Sequence, residues 1–431
     1  MNFKKKKVLI MGLGLHGGGV GVAKFFLKKQ ADVLITDLKS RKELKDSLTK
    51  LKGLPIKYVL GKHRKEDFLA SDLVIKNPAV PWNSKYLKIA GEKVKTDITV
   101  FFELCKSEHI IGITGTKGKS TTATLTYLFL KEKYPSFLAG NIGVSPLEIV
   151  DKINKDSRVV LELSSFELEG LEKSPKTALI TNILKDHLDR YETMEEYIAA
   201  KKNIFKYQKS KDILVLNYDN KITRSFKKEA RGKVFFFSQK AKKDCYLSKD
   251  TIYFKGTPVS KAGNLNLSNL LAAISLARLS GVSVKKIRKV LSSFKGVPGR
   301  QEFIAEKRGV KYYNDTTATM PDAVIEALER FKNPILIAGG VDKGLDYSLL
   351  SEKIEKKAKH LILLPGTASL ILKKKVKNAF LVSSMKEAVK KAASLAEKGD
   401  SVILSPGAAS FNLFKNEFDR GDKFKEEVRK I

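Results

Sequence analysis

Two glycine-rich turns, each entered from an apolar run and left into a helical one, constrain this chain more than any other feature. The first is Gly12-x-Gly14-x-x-Gly17, after VLIM (8–11) and before the helical pattern VAKFFLKK; the next strand pattern, DVLITD, ends at Asp37, 20 residues after Gly17. In a β–α–β unit of this spacing, backbone N–H groups at a helix N-terminus can approach a pyrophosphate. Three readings share the pattern: a nicotinamide dinucleotide site, a site for another nucleotide diphosphate, and a tight turn that holds nothing.

The second turn is more specific. ITGTKGKST (113–121) lies between the strand pattern HIIGI and the helical TTATLTYLFLKEK. Lys119 and Ser120 stand where a phosphate-binding loop puts its phosphate-contacting lysine and its Mg²⁺-contacting hydroxyl. The strict GxxxxGK[ST] pattern would need glycine at Ile113, so this is a shorter loop, Gly115-Thr116-Lys117-Gly118-Lys119-Ser120-Thr121, entered through Thr114. ATP is its expected ligand. A chain with both turns must bring together two phosphate-bearing ligands.

The pattern around the turns is that of an α/β protein. Further strands are expected at SDLVIKN (71–77), RVVLELS (158–164), TALITNI (177–183) and DILVLN (212–217), and a small antiparallel patch at FFFS–YLS–TIYF (235–254). LSNLLAAISLARLSG reads as a helix stopped by Gly281. GVPGR (296–300) is a compact joint, after which PILIAGG, HLILLPG and DSVILSPG are three buried-type strands each ending in glycine. The 431 residues suit about three domains. The expected divisions are a Rossmann-like unit at 1–95, a phosphate-loop parallel sheet at 96–295 and a second Rossmann-like unit at 296–431.

Charge invites a different reading. The formal net charge is +35, but 69 of the 82 basic residues are Lys and 13 are Arg, scattered without an Arg- or aromatic-interleaved stripe. Nucleic-acid readers lean on the planar Arg fork, so the excess reads as a solvated surface that also favours anionic substrates. No run of 18 apolar residues suggests a membrane span. The basic Lys4–Lys7 segment does not resemble a secretory signal, because glycines and His16 interrupt the apolar stretch after it. Two cysteines, Cys105 and Cys245, make no disulfide framework and fit a reducing compartment. The expected location is the cytoplasm.

Three other side chains have chemistry to offer. Glu162 ends a strand pattern, where it could supply the hard oxygen a Mg²⁺ on Ser120 needs, or be an ordinary surface carboxylate. His187, in NILKDHLDRY, could be a ligand or a structural residue. Thr193-x-x-Glu196 reads as a capping box starting a helix on which Met194, Tyr197, Lys201, Phe205 and Gln208 share the apolar face, with Lys202 outside it. Lys201 there either covers apolar surface with its stem or is buried with a compensating anion or modification.

Taken together, ITGTKGKST, AGNIG (139–143), ELSSFELE (162–169), NILKDHLDRY, AAK (199–201) and NDTTAT (314–319) resemble the Mur ligases, the ATP-dependent amide-forming family of peptidoglycan synthesis. The motifs span nearly the whole chain in order. GLGLHG, LSSFELE and SPGAASFNLFKN…RG (405–421) resemble the branch that joins D-glutamate to UDP-N-acetylmuramoyl-L-alanine.

That resemblance implies phosphorylation of the substrate carboxylate by ATP and attack of an amine on the acyl phosphate. It gives Lys119 the β/γ-phosphates, Ser120 and Glu162 one Mg²⁺, and His187 with a carbamylated Lys201 a second. Gly14, Leu15, His16 and Asp37 would hold UDP rather than a dinucleotide, and Asn141 the muramoyl part. Asn266 and Asn269 match the adenine-contacting pair, with Leu265 in place of the usual His; Arg300 and Asp315 match nucleotide contacts. Thr319, Lys343, Ser410 and Phe411 match positions holding the amino acid, although Lys343 also reads as a plain surface lysine. Thr317 replaces a frequent Lys, and Glu417-Phe418 inverts the expected aromatic order, both on the amino-acid side. The protein is expected to be a monomer without nucleic-acid partners. Its rivals are another Mur-type ligase with a different amine, a basic nucleic-acid-binding ATPase and, last, an oxidoreductase.

Overall fold

The computed structural model describes every residue except Met1, His16, 185–190, Asn264, Lys295, Lys343 and 411–412. The chain forms two compact units, Met1–Ser293 and Phe294–Ile431. The first holds two sheets and the second holds one.

The N-terminal sheet comprises β1 (Lys7–Met11), β2 (Asp32–Asp37), β3 (Ile56–Leu60), β4 (Leu73–Lys76) and β5 (Val94–Lys95). Its order is β3-β2-β1-β4-β5 and every pairing is parallel. Val8–Met11 are all buried, as a strand covered on both faces requires. The order turns back between β1 and β4, which opens a ligand crevice beyond their carboxyl ends.

The central sheet comprises β6 (Ile110–Thr114), β7 (Ser136–Gly140), β8 (Arg158–Glu162), β9 (Thr177–Ile180), β10 (Ile213–Asn217), β11 (Lys233–Ser238), β12 (Cys245–Ser248), β13 (Thr251–Phe254) and β14 (Thr257–Lys261), in the order β14-β13-β12-β11-β10-β9-β6-β8-β7. The expected antiparallel patch at 235–254 is corrected here. β11 pairs parallel to both β10 and β12, and only β12–β14 are antiparallel. Alternation reports which face is covered, not strand direction. The strands expected to run to 164 and 183 stop at Glu162 and Ile180, where the chain turns into site loops. One apolar cluster joins the two sheets, from Phe3 and Phe26 through Ile98 and Phe101 to Leu161 and Ile180.

The second unit has β15 (Glu302–Lys307), β16 (Val310–Asn314), β17 (Ile335–Ala338), β18 (His360–Leu363), β19 (Ala379–Leu381) and β20 (Ser401–Leu404), in the order β15-β16-β20-β17-β18-β19. Only β15 runs antiparallel. Separate apolar clusters cover its two faces, one around Val402 and Phe424, the other around Leu336 and Leu350. Among the described residues no helix is long and apolar enough to cross a membrane.

Candidate functional site

The first glycine loop leaves β1 at the turn-back point of its sheet. Gly12, Gly14 and Gly17 all have positive φ, and Gly17 caps helix Gly18–Lys28 in the left-handed conformation. A Cβ on Gly12 would lie 2.9 Å from Cβ of Asn77, so the glycine admits the turn after β4. Asp37 is nearly buried. Its Oδ2 accepts the N–H groups of Leu13 (2.9 Å) and Gly14 (3.3 Å), and its Oδ1 accepts that of Lys39 (2.9 Å). The carboxylate therefore shapes the loop itself. Leu15 is exposed at the tip; His16 lies outside the described residues. Asn77, which motif reading passed over, lines the same crevice, and its Asn-Pro step after an apolar run was the available signal.

The second loop leaves β6 into helix Lys119–Lys131. Gly118, at φ +82°, is the left-handed N-cap; a Cβ there would lie 2.1 Å from Oδ1 of Asn269. That close approach sets Asn269 against the loop. Asn266 caps helix Leu267–Leu279 by accepting the Asn269 N–H (3.2 Å). The loop is pinned from β9's end: Asn182 O accepts the Thr116 N–H, Asn182 Oδ1 accepts the Lys117 N–H, and Thr181 Oγ1 donates to Lys117 O (2.6 Å). Thr116 Oγ1 lies 3.0 Å from the Tyr197 hydroxyl. Ser120 is buried, while Thr121 is half-buried.

Lysines 119 and 201 converge on this loop. Lys119 Nζ donates to Gly115 O (3.0 Å) and Thr116 O (2.9 Å). Lys201 Nζ donates to the same Gly115 O (3.0 Å) and reaches Thr114 Oγ1 at 3.5 Å. The helical pattern placed Lys201 well: it is 1% exposed, with its ammonium 4.7 Å above the Tyr197 ring. Its neighbour Lys202 instead pairs with Glu229 at the surface. The capping box is only half formed, because Thr193 accepts the Glu196 N–H while the Glu196 carboxylate takes the Glu192 N–H.

Glu162, at the end of β8, is 1% exposed and so is no surface carboxylate. Asn141 follows β7 beside it, its N–H on Glu162 O (2.9 Å) and its Nδ2 3.4 Å from Glu162 Oε1. Gly140 makes this possible, since a Cβ there would lie 2.1 Å from Glu162 O. Glu167 is a buried carboxyl that motif reading did not single out. Ser164 closes a capping box on its Oε2, N–H and hydroxyl both at 2.7 Å. Burial, helped by the charges of Asp97 and Glu162, pushes Glu167 up to about 8. His187 lies outside the described residues.

In the second unit, burial pushes Asp315 up to about 7 although it accepts the Ser405 hydroxyl (2.8 Å) and the Gln301 N–H (3.1 Å). Arg300, in the preceding turn, is exposed, Thr319 is half-buried and Ser410 is buried. Lys343 and Phe411 lie outside the described residues. The two departures from the family pattern have a physical account. The Thr317 hydroxyl donates to Gly299 O (2.9 Å), closing the loop onto the joint. Glu417 O accepts the Thr316 hydroxyl (2.6 Å), and Phe418 is exposed. Arg420, quoted in the RG of the 405–421 motif but given no role there, is fully buried and binds Thr316 Oγ1 (3.1 Å), Thr316 O (2.9 Å) and Ala408 O (3.1 Å). It ties the loop after β16 to the loop after β20.

The sequence matches three family models in order: "Mur ligase MurD-like, N-terminal domain" over residues 6–99, "Mur ligase middle domain" over 113–277 and "Mur ligase, glutamate ligase domain" over 299–407. It is 41% identical to a UDP-N-acetylmuramoylalanine--D-glutamate ligase of Roseiflexus sp. (strain RS-1), covering 99% of each chain. It is 40% identical to the protein of that name from Acetivibrio thermocellus, covering 99% of this chain and 97% of the relative. Among solved structures, the fold is similar to MurF from Acinetobacter baumannii (TM-score 0.59, 15% identity, 100% of this chain and 92% of that one). It is also similar to MurF from Thermotoga maritima in complex with ADP (TM-score 0.57, 20% identity, 93% and 95%). With three matched domains, two nucleotide-type loops and full-length relatives, the chain belongs to the Mur ligase family, on its MurD-like branch.

Proposed function

We propose that this protein joins D-glutamate to UDP-N-acetylmuramoyl-L-alanine at the expense of ATP, in peptidoglycan precursor synthesis. The observation that carries the reading is the likeness, over 99% of the chain, to relatives that bear this activity in their names. It acts in the cytoplasm, as a monomer, with no nucleic-acid partner.

The crevice between β1 and β4 takes the UDP end, through Gly14, Leu15, His16 and Asp37, whose carboxylate also holds the loop in shape. Asn141 contacts the muramoyl part. ATP lies on the loop Gly115-Thr116-Lys117-Gly118-Lys119-Ser120-Thr121, its adenine at Asn266 and Asn269, with Arg300 and Asp315 as further nucleotide contacts. Thr319, Lys343, Ser410 and Phe411 hold D-glutamate.

A carboxylate oxygen of the substrate attacks the γ-phosphorus, ADP leaves, and the amine of D-glutamate then displaces phosphate from the acyl phosphate. Anion meets anion in the first step, so charge compensation is the main catalytic task. On nucleotide binding Lys119 turns from the loop carbonyls to the phosphates. The buried hydroxyl of Ser120 and carboxylate of Glu162 are hard oxygen donors that suit Mg²⁺, which when bound offsets the phosphate charge. His187 and Lys201 would hold a second Mg²⁺, which would supply further charge compensation. Condensation of CO₂ with the Lys201 amine, with loss of a proton, gives a carbamate whose oxygens can serve as that ligand and whose negative charge suits the cation-rich loop.

The test is ADP release with UDP-N-acetylmuramoyl-L-alanine and each amino acid in turn, with DNA and RNA as further additions. Stimulation by D-glutamate alone supports the reading. Stimulation by another amine, or by nucleic acid without any amine, overturns it.

A further inference from the structure

The end of β4 carries a lysine where burial should exclude one. Lys76 is 0% exposed, and its ammonium lies 4.9 Å above the ring of Trp82, the chain's single tryptophan. Asp97 is the buried first residue of helix Asp97–Leu104; burial raises its carboxyl, and the Lys76 charge opposes that rise. Asp97 Oδ1 accepts the Ile98 N–H (3.0 Å), and its Oδ2 accepts the Ser145 hydroxyl (3.0 Å).

Each of these contacts leads into the central domain. Ser145 begins a capping box with Glu148 after the Asn141 loop. The Glu148 carboxylate fills the space a side chain on Gly21 would need, since a Cβ there would lie 2.2 Å from it. Trp82 lies on Gly170, just past the helix Ser165–Leu168 that comes after Glu162; a Cβ on Gly170 would lie 2.6 Å from Cζ2 of the indole. The cluster thus joins the end of β4 to both loops that leave β7 and β8.

A methionine would fill the same volume without the cost of burying a charge, and buried charged groups are best attested as devices of registry. Register matters here. Asn77, the next residue, packs on Gly12 of the glycine loop, so a shift of the β4 end moves that loop relative to Asn141 and Glu162.

We propose that Lys76 is a positioning residue: together with Asp97 and Trp82 it fixes the glycine-loop crevice against the Asn141 and Glu162 loops. It thereby sets how far a nucleotide-sugar must reach to present its carboxylate. The proposal rests on reading the crevice as the nucleotide-sugar seat.

The experiment uses the full-length protein with Lys76→Met and Asp97→Asn. It reads KM for UDP-N-acetylmuramoyl-L-alanine, KM for ATP and the emission of Trp82. Both variants should raise the KM for the nucleotide-sugar about tenfold, leave the KM for ATP within about twofold, and shift Trp82 emission. An equal rise in both KM values, or an unchanged nucleotide-sugar KM, overturns the proposal. If Lys76→Met does not fold, Asp97→Asn decides alone. If the wild-type protein does not turn over this nucleotide-sugar, the substrate reading fails separately. Trp82 emission then decides the packing claim, and unchanged emission in the variants overturns it.

Discussion

Lys119 and Lys201 donate to one carbonyl oxygen, that of Gly115, each at 3.0 Å. Two ammonium groups on a single backbone oxygen concentrate positive charge, so the loop is prepared for anions before any arrive. Lys119 sits at the start of the loop's own helix, whereas Lys201 reaches it from the helix Met194–Lys206. Incoming phosphate would be stabilised by that charge, and a carbamate formed on Lys201 by the ammonium of Lys119, which remains.

Lys201→Ala removes the amine that carbamylation needs. Steady-state ADP release should fall by about two orders of magnitude or more, in the range of lost charge-stabilising groups. A short-chain carboxylate in the assay should restore part of it. Wild-type turnover by the variant would contradict the carbamate role.

Gly118→Ala should weaken nucleotide binding selectively. At φ +82° a side chain costs about 1–2 kcal/mol, and its Cβ would also displace Asn269. The expected result is a KM for ATP raised about tenfold with the nucleotide-sugar KM little changed. Steady-state kinetics with each substrate varied checks it.

Glu167 gives a pH dependence with a definite sign. Its carboxyl holds a proton up to about pH 8 in the native state, against an ordinary value of 4.5 in the open chain. The native state therefore binds more protons between those values, and stability falls as pH rises through that window. Burial raises Asp97 and Asp315 as well, Asp315 to about 7, so they add in the same direction. Glu167→Gln keeps an oxygen to accept both Ser164 bonds and cannot ionise. Thermal melts from about pH 5 to 8 should show a flatter decline for the variant, with activity within about twofold of wild type. A slope identical to wild type would contradict the assignment.

Arg420→Met should act on the amino-acid side. It removes three hydrogen bonds from a buried guanidinium, a loss of about 3 kcal/mol or more. The loops after β16 and β20 then keep the Ser405–Asp315 and backbone bonds between them and lose the guanidinium tie. The KM for D-glutamate should rise more than about tenfold, and urea denaturation should show the loss of stability.

Much of the site was legible because its chemistry is local in sequence. A strand, a glycine turn and a helix are contiguous, so the positions of both loops, of Glu162 at its strand end and of Lys201 on its apolar face could be read from spacing, while the choice between ligand and bland readings rested on the family resemblance. What spacing could not show is compensation across distance. Asp37 reads as a ligand contact, and spacing gave no sign that its oxygens also serve the loop's own amides. Lys76 was one basic residue among 82, and Arg420 stood in the RG of the 405–421 motif without a role; burial between distant loops is what sets both apart. The direction of β11 was likewise hidden, because pairing partners are chosen by the fold and not by the strand's own pattern.

The most direct test of the account tracks an oxygen atom. UDP-N-acetylmuramoyl-L-alanine with both carboxylate oxygens labelled as ¹⁸O is turned over with ATP and D-glutamate, and the released phosphate is analysed by mass. An acyl phosphate requires one labelled oxygen to leave with each phosphate while the other stays in the amide. Phosphate carrying one ¹⁸O per turnover is the predicted result; unlabelled phosphate released alongside the amide product would contradict it.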